Sequence, residues 1–315
     1  MSLPALEFLR SEYTEVWVPS VNLPLFWFAD RVRAIAGTGI DLIGVTDAPL
    51  PPELYQFDRI VSWYGSNRAA FRAAVRGLPV EFHDALPGTG MHASDFYSSQ
   101  VGAPLGAVPQ VPFSSHKRDF IAIHPFSGSA RKNWPLENFQ QLAGLLPLPV
   151  EWAVTASGEH RFEGLREVAE WLSSARLYVG NDSGITHLSA AVGTPTIALF
   201  HTPQEVAQEG QPDLSPEPFS NSYLHAAYPT DNMAVAQQPA AESDASQKRK
   251  GPPTSGYLYE QMELNFMKKS RPGTVQAVPL GVAAVWAPRG AHVYVAPMPQ
   301  SPAALARLCV RILNK

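Results

Sequence analysis

The sequence predicts an α/β protein of two lobes, and three observations predict it. Its 315 residues exceed one typical core and suit about two domains of roughly 150 residues each. Short apolar strand-like runs alternate with helix-like segments along most of the chain, the layer pattern of α/β proteins. Hydrophobic residues make up 45% and charged residues only 17%, so there is ample apolar material to bury and a wholly disordered chain is excluded.

The first lobe is expected over residues 1–113. A helix is predicted at Pro4 to Ser11, followed by strands at Glu15 to Val18, Asp41 to Val45 and Arg59 to Trp63, with helices at Leu25 to Ala36, Asn67 to Val75 and His92 to Val101. A parallel α/β lobe ordinarily opens with a buried strand whose loop faces the cleft, whereas this chain opens inside its first helix. An opening strand and loop are expected to be missing.

A proline-containing connection near Val108 to His116 leads into a second lobe, residues 114–315. Its predicted order is strand (Phe120 to Ile123), helix (Pro135 to Leu145), strand (Val150 to Val154), helix (Phe162 to Leu172), strand (Leu177 to Val179), helix (Ile185 to Val192) and strand (Thr196 to Phe200). Repeated β-α-β winding places ligands at the carboxyl ends of the strands. Gly193 and Pro195 are expected to stop the helix before the last of these strands. Residues 201–280 contain ten of the 30 prolines and little periodicity, and are predicted to form a low-complexity, irregular insertion. Within it, Leu258, Met262 and Phe266 stand four apart on a potential amphipathic helix. Folded sequence resumes at Val282 to Val295 and ends in an amphipathic helix at Pro302 to Leu313.

The lone cysteine, Cys309, excludes an intramolecular disulfide and a multi-cysteine zinc site, and fits a reducing, cytoplasmic compartment. A net charge of −4 provides no basic field for a nucleic-acid backbone. No apolar run approaches the length of a membrane span, and Glu7 and Arg10 interrupt any signal-like segment. The run Leu23 to Phe28 reads either as a buried face or as a patch touching a membrane.

Two loops at strand ends carry the candidate chemistry. In the first, His124-Pro-Phe-Ser-Gly-Ser-Ala-Arg-Lys-Asn-Trp-Pro135, Gly128 allows close backbone approach, Ser127 and Ser129 offer hydroxyls, and Arg131 or Lys132 can neutralise an anion at the following helix N-terminus. Taken alone, it also reads as a plain glycine turn with solvated cations. In the second, Gly180-Asn-Asp-Ser-Gly-Ile-Thr-His187, Asp182 or Ser183 could simply cap a helix, and His187 could be a satisfied histidine one turn in. A cap needs one such residue, however, and this loop supplies a carboxylate, a hydroxyl, a glycine and an imidazole where exposed N–H groups favour phosphate.

These loops, with Gly193-Thr-Pro-Thr-Ile-Ala-Leu-Phe200, Trp286-Ala-Pro-Arg-Gly290 and the first-helix segment Leu3-Pro-Ala-Leu-Glu-Phe-Leu-Arg10, resemble glycosyltransferase family nine, the ADP-heptose:lipopolysaccharide heptosyltransferases and their relatives. The resemblance implies a GT-B architecture, two Rossmann-like lobes facing a cleft, with the acceptor on the first lobe and a nucleotide-sugar donor on the second. Carried over by residue, it implies that Ser127, Gly128, Ser129 and Lys132 hold the diphosphate, that Asp182, Ser183, Gly184 and His187 complete the donor site, and that Lys132 and His187 stabilise the leaving group. Glu159 falls near the place of a ribose-contacting glutamate. The implied reaction is metal-independent, inverting transfer of a heptose-like sugar from an ADP-sugar to a lipid-linked, lipopolysaccharide-type saccharide, at the cytoplasmic side with peripheral membrane contact, and without a separate cofactor. The sequence contains no Asp-x-Asp pair of the kind that often holds a divalent ion in such enzymes. The family's general-base aspartate belongs to the opening loop and has no counterpart here; Asp30, Asp95 and His92 are the residues that could replace it. Two other readings are therefore carried: a catalytically impaired descendant that binds a nucleotide-sugar, and a Rossmann-like nucleotide-sugar epimerase.

Overall fold

The computed structural model describes residues 1–88, 90–113, 115–130, 133–154, 161–201, 282–298 and 300–315, all of them within one compact unit. The expected insertion after His201 and the amphipathic helix around Leu258 to Phe266 lie outside the described residues.

The N-terminal part runs α1 (Leu3–Phe8), β1 (Glu15–Val18), a 3₁₀ segment (Ser20–Leu25), β2 (Arg31–Ala34), α2 (Ile35–Thr38), 3₁₀ turns at Ile40–Leu42 and Pro52–Gln56, β3 (Ile60–Ser62), α3 (Ala69–Ala74), β4 (Val80–Phe82) and α4 (Ala93–Gln100). It forms two small parallel pairs, β1 with β2 and β3 with β4. Two sequence expectations fail here. The helix expected over Leu25 to Ala36 is instead an irregular stretch leading into β2. Phe26 and Phe28 both point inward at a spacing of two, and β2 then satisfies the backbone of β1 in the register Glu15↔Arg31 to Val18↔Ala34. The strand expected over Asp41 to Val45 is a single 3₁₀ turn, because Gly39 and Gly44 flank it with φ of 75° and 73°, left-handed values that a strand cannot continue through. β2 and β4 escaped the sequence reading, each being only three or four residues long.

The C-terminal part runs β5 (Ile121–His124), α5 (Leu136–Leu145), β6 (Val150–Trp152), α6 (Leu165–Ser174), β7 (Leu177–Asn181), α7 (Gly184–Ala191), β8 (Thr196–His201), α8 (Val282–Trp286), β9 (Val293–Met298) and α9 (Pro302–Leu313). All five strands are parallel, in the order β6-β5-β7-β8-β9. Strand alternation explains why helices cover both faces. Ile121, Ile123, Leu177, Val179, Ile197 and Leu199 pack towards α5 and α9, with Phe139, Leu142, Leu305 and Cys309. Ala122 and Tyr178 face α6 and α7, with Val168, Leu172 and Leu188. The two faces make a three-layer α/β/α sandwich.

Helix ends follow local rules. The α9 helix starts on a Ser301 cap with Pro302 in its first turn. The α7 helix ends as expected at Gly193, whose φ is 80°. There Gly193 N–H donates to Ala190 O and Thr194 N–H to Ser189 O, both at 3.1 Å, the paired bonds of a Schellman terminus.

Candidate functional site

Chain order in the five-stranded sheet reverses between β5 and β7: β6 follows β5 on one side and β7 lies on the other. A crevice opens outside the carboxyl ends at such a switch point, and this is where open α/β sheets bind ligands. β5 and β7 are direct neighbours in the register Ile121↔Leu177 to His124↔Gly180, so their loops start about 4.8 Å apart. Both loops singled out in the sequence therefore leave from the two sides of the switch point.

The loop after β5 carries Ser127, Gly128 and Ser129. The Ser127 hydroxyl lies 2.8 Å from both Ser129 O and Asn133 Oδ1, and the Ser129 N–H donates back to Ser127 Oγ at 3.3 Å. Gly128 faces open space, with nothing within 4 Å of where a Cβ would stand. The loop ends at Trp134, which is buried, packs edge-on against Phe139 and donates its indole N–H to Gln300 O at 3.2 Å. Lys132 and Glu159, both expected in the site, lie outside the described residues, as does Arg131.

The loop after β7 is short and heavily bonded. Asp182 N–H donates to Leu199 O at 3.1 Å. Ser183 caps α7, its Oγ accepting the Thr186 N–H at 3.4 Å. Thr186 is fully buried, and its hydroxyl donates to Asn181 O while lying 2.9 Å from the Tyr178 hydroxyl. Burial pushes the Tyr178 phenol well above its ordinary pKa. Gly180 is required beside it, because a Cβ there would stand 2.7 Å from Tyr178 Cζ. His187 Nε2 sits 3.8 Å from Asp182 Oδ1, the two side chains being 26% and 14% exposed. Gly184 and Ile185 occupy the first turn of α7, where N–H groups have no intrahelical acceptor and the helix dipole is positive. Asp182 and His187 are thus brought together at a helix N-terminus suited to an anion.

One residue of the site was missed by the sequence reading. Asn181 is completely buried and stands next to Asp182, whose carboxylate carries the more obvious chemistry. Its side chain bonds the other loop: Oδ1 accepts the Trp134 N–H at 2.9 Å, and Nδ2 donates to Pro125 O at 2.6 Å while lying 3.4 Å from Asn133 Oδ1. An asparagine at the end of an all-buried strand was the available signal, since a buried amide requires partners.

The three residues considered as replacement bases have structural bonds. Asp95 holds Arg289 in a bidentate pair at 2.7 and 2.6 Å, which keeps its carboxyl down at about 2. His92 Nε2 lies 2.9 Å from Ala287 O, and burial lowers its pKa. Asp30 Oδ2 accepts the Thr14 N–H at 2.8 Å. The segment Trp286 to Gly290 is in this way tied to α4. Two surface cavities, of about 610 and 460 Å³, are lined around Trp27 and Phe113 and around Arg72 and Phe82; neither includes a residue of the switch-point loops. Among the described residues no group of three or more His, Cys, Asp or Glu side chains is placed to hold a metal ion, and no helix is long and apolar enough to cross a membrane.

Residues 163–248 match the family model of glycosyltransferase family 9 (heptosyltransferase), a stretch that includes α6, β7, the Gly180–His187 loop, α7 and β8. No curated protein matches the sequence significantly. Among solved structures, the chain is similar to Escherichia coli ADP-heptose lps heptosyltransferase II, with a TM-score of 0.56 at 13% identity over 99% of this chain and 93% of that one. It is also similar to E. coli heptosyltransferase WaaC, solved with ADP, with a TM-score of 0.52 at 14% identity over 99% of this chain and 94% of that one. The fold is accordingly an α/β fold with parallel sheets resembling those heptosyltransferase structures, and the family 9 match is confined to residues 163–248.

Proposed function

We propose that the protein is a glycosyltransferase that takes a heptose-like sugar from an ADP-sugar and transfers it, with inversion, to a hydroxyl of a lipopolysaccharide-type saccharide. The observation that carries this reading is the pair of loops at the β5/β7 switch point, one of them opening onto the N-terminus of α7 and bonded to the other through Asn181. Similarity to a heptosyltransferase solved with ADP supports the choice of nucleotide.

In this reading the diphosphate lies between the Ser127–Ser129 turn and the first turn of α7. As the bond from the sugar breaks, negative charge grows on the departing diphosphate. The Gly184 and Ile185 N–H groups, the Ser129 hydroxyl and the His187 imidazole stabilise that charge more than the bound ground state, which is what lowers a barrier, while the Ser127 hydroxyl holds the turn through Ser129 O and Asn133 Oδ1. Asp182 Oδ1 lies 3.8 Å from His187 Nε2, and Lys132 adds a positive charge by its place in the family pattern. The residues named supply the charge stabilisation, with no metal or separate cofactor invoked.

A second reading, a nucleotide-sugar-binding descendant without turnover, is favoured by one observation: two of the three candidate bases are engaged in structural bonds, Asp95 through both oxygens with Arg289 and His92 through both ring nitrogens. A missing general base typically costs about 10²- to 10⁴-fold in rate. Calorimetric titration with ADP, beside an assay of sugar transfer from ADP-heptose, tests both. Binding with transfer establishes the enzyme, binding without transfer establishes the second reading, and a chain that does not bind ADP refutes both.

A further inference from the structure

Asn181 closes the first loop at both of its ends. Pro125, which accepts from Nδ2, opens that loop; Trp134, which donates to Oδ1, ends it; the Ser127–Ser129 turn lies between them. Asn133 extends the tie inward, since its Oδ1 lies 2.8 Å from the Ser127 hydroxyl and 3.4 Å from Asn181 Nδ2. On its own side, the Asn181 carbonyl accepts the Thr186 hydroxyl, which fixes it to the first turn of α7. One fully buried residue therefore joins the first loop, through its side chain, to the helix N-terminus, through its carbonyl, without itself being open to a ligand.

We infer that Asn181 is a positioning residue for the donor diphosphate: it sets the spacing between the Ser127–Ser129 turn and the N-terminus of α7, so that donors from both loops converge on one pyrophosphate. This rests on the ADP-sugar reading above. The chemistry explains why the residue is asparagine. The position needs a donor and an acceptor on one planar group. Aspartate would set a second acceptor against Pro125 O, and leucine would leave the Trp134 N–H and the Pro125 carbonyl without their partner.

The test compares ADP with adenosine, which carries no phosphate and so does not require the two loops in register. Asn181→Asp retains an acceptor for the Trp134 N–H and sets a second carboxyl oxygen in place of the donor that faces Pro125 O and Asn133 Oδ1. Asn133→Ala loosens the same tie at a less buried position, and keeps the test available should the first variant fail to fold. For folded variants, with wild-type circular dichroism, ADP binding should weaken about tenfold or more while adenosine binding changes less than about twofold. Amide resonances of Gly128 and Ser129 should shift in both variants. Equal weakening of ADP and adenosine, or unchanged ADP binding, would overturn the inference and leave the donor reading standing. A wild-type chain that binds no ADP would instead remove the donor reading, and this inference with it.

Discussion

The bidentate pair between Asp95 on α4 and Arg289, 194 residues apart, should make a measurable and pH-dependent contribution to stability. Asp95 Oδ1 also accepts the Gly106 N–H at 2.7 Å, and the two side chains are only 18% and 22% exposed, so solvent screens the pair weakly. The hydrogen bonds from Arg289 are the largest cause of the lowered pKa; burial opposes them. A drop from 3.8 to about 2 corresponds to about 2 kcal/mol at 1.36 kcal/mol per tenfold. The sign follows from proton counting. Between pH 2 and 4 the unfolded chain binds more protons than the folded one, so this stabilisation is complete above about pH 5 and is lost as pH falls towards 2. Asp95→Asn removes it at every pH. Urea unfolding of wild type and Asp95→Asn, measured from pH 6 to pH 2.5, should show a difference of about 2 kcal/mol that shrinks by more than half by pH 2.5. In combination with Arg289→Gln, the second substitution should cost much less than it does alone. Equal stabilities at pH 6, or a difference that does not vary with pH, would refute the reasoning.

Two further outcomes are expected. Gly180→Ala should lower stability by about 1–3 kcal/mol, because its new methyl must displace the wholly buried Tyr178 ring; an unchanged melting temperature would show that the strand yields freely. Burial pushes the Cys309 thiol up to about 12, so at pH 8 a thiol reagent should modify it only on unfolding, at a rate that rises with denaturant; rapid labelling of the native protein would contradict the packing of α9 on the sheet.

The C-terminal sheet was legible in the sequence from β5 to β8, where each signal was strong and local, while its edge strand β9 was read only as folded sequence. Buried apolar runs such as Ile121–Ile123 and Leu177–Val179, a capping serine at 183 and a terminating glycine at 193 leave few alternatives. The N-terminal part misled where elements are short. Arg31–Ala34 is a strand through its pairing with Glu15–Val18, a long-range cause that four residues with two arginines do not advertise. In the site, Ser127, Asp182, Ser183 and His187 could be picked out by chemistry and loop position. Asn181 could not, because its role is to bond a segment 47 residues away, and only the placement of β7 beside β5 reveals it.

The distribution of buried polar groups explains how the site keeps its shape. On the α5/α9 face the packing is aliphatic and aromatic, with Ile121, Val179, Phe139 and Leu305 in one buried cluster. On the α7 side, buried polar groups bond in specific pairs. The Tyr178 hydroxyl meets Thr186, Ser189 Oγ lies 2.8 Å from Thr196 Oγ1, Thr196 donates to Thr194 O at 2.8 Å, and Thr194 Oγ1 donates to Leu172 O at 2.6 Å. Apolar contacts are non-directional, so a helix held by them alone can rotate or slide at modest cost. A helix held by buried hydrogen bonds cannot, since each bond broken leaves a buried group unsatisfied at about 1–3 kcal/mol. Sliding α7 by one residue would break the Tyr178–Thr186 and Ser189–Thr196 pairs together. The helix that presents its N-terminus at the switch point is therefore fixed in register by its own sheet before any ligand arrives, and the Asn181 amide passes that register on to the serine turn.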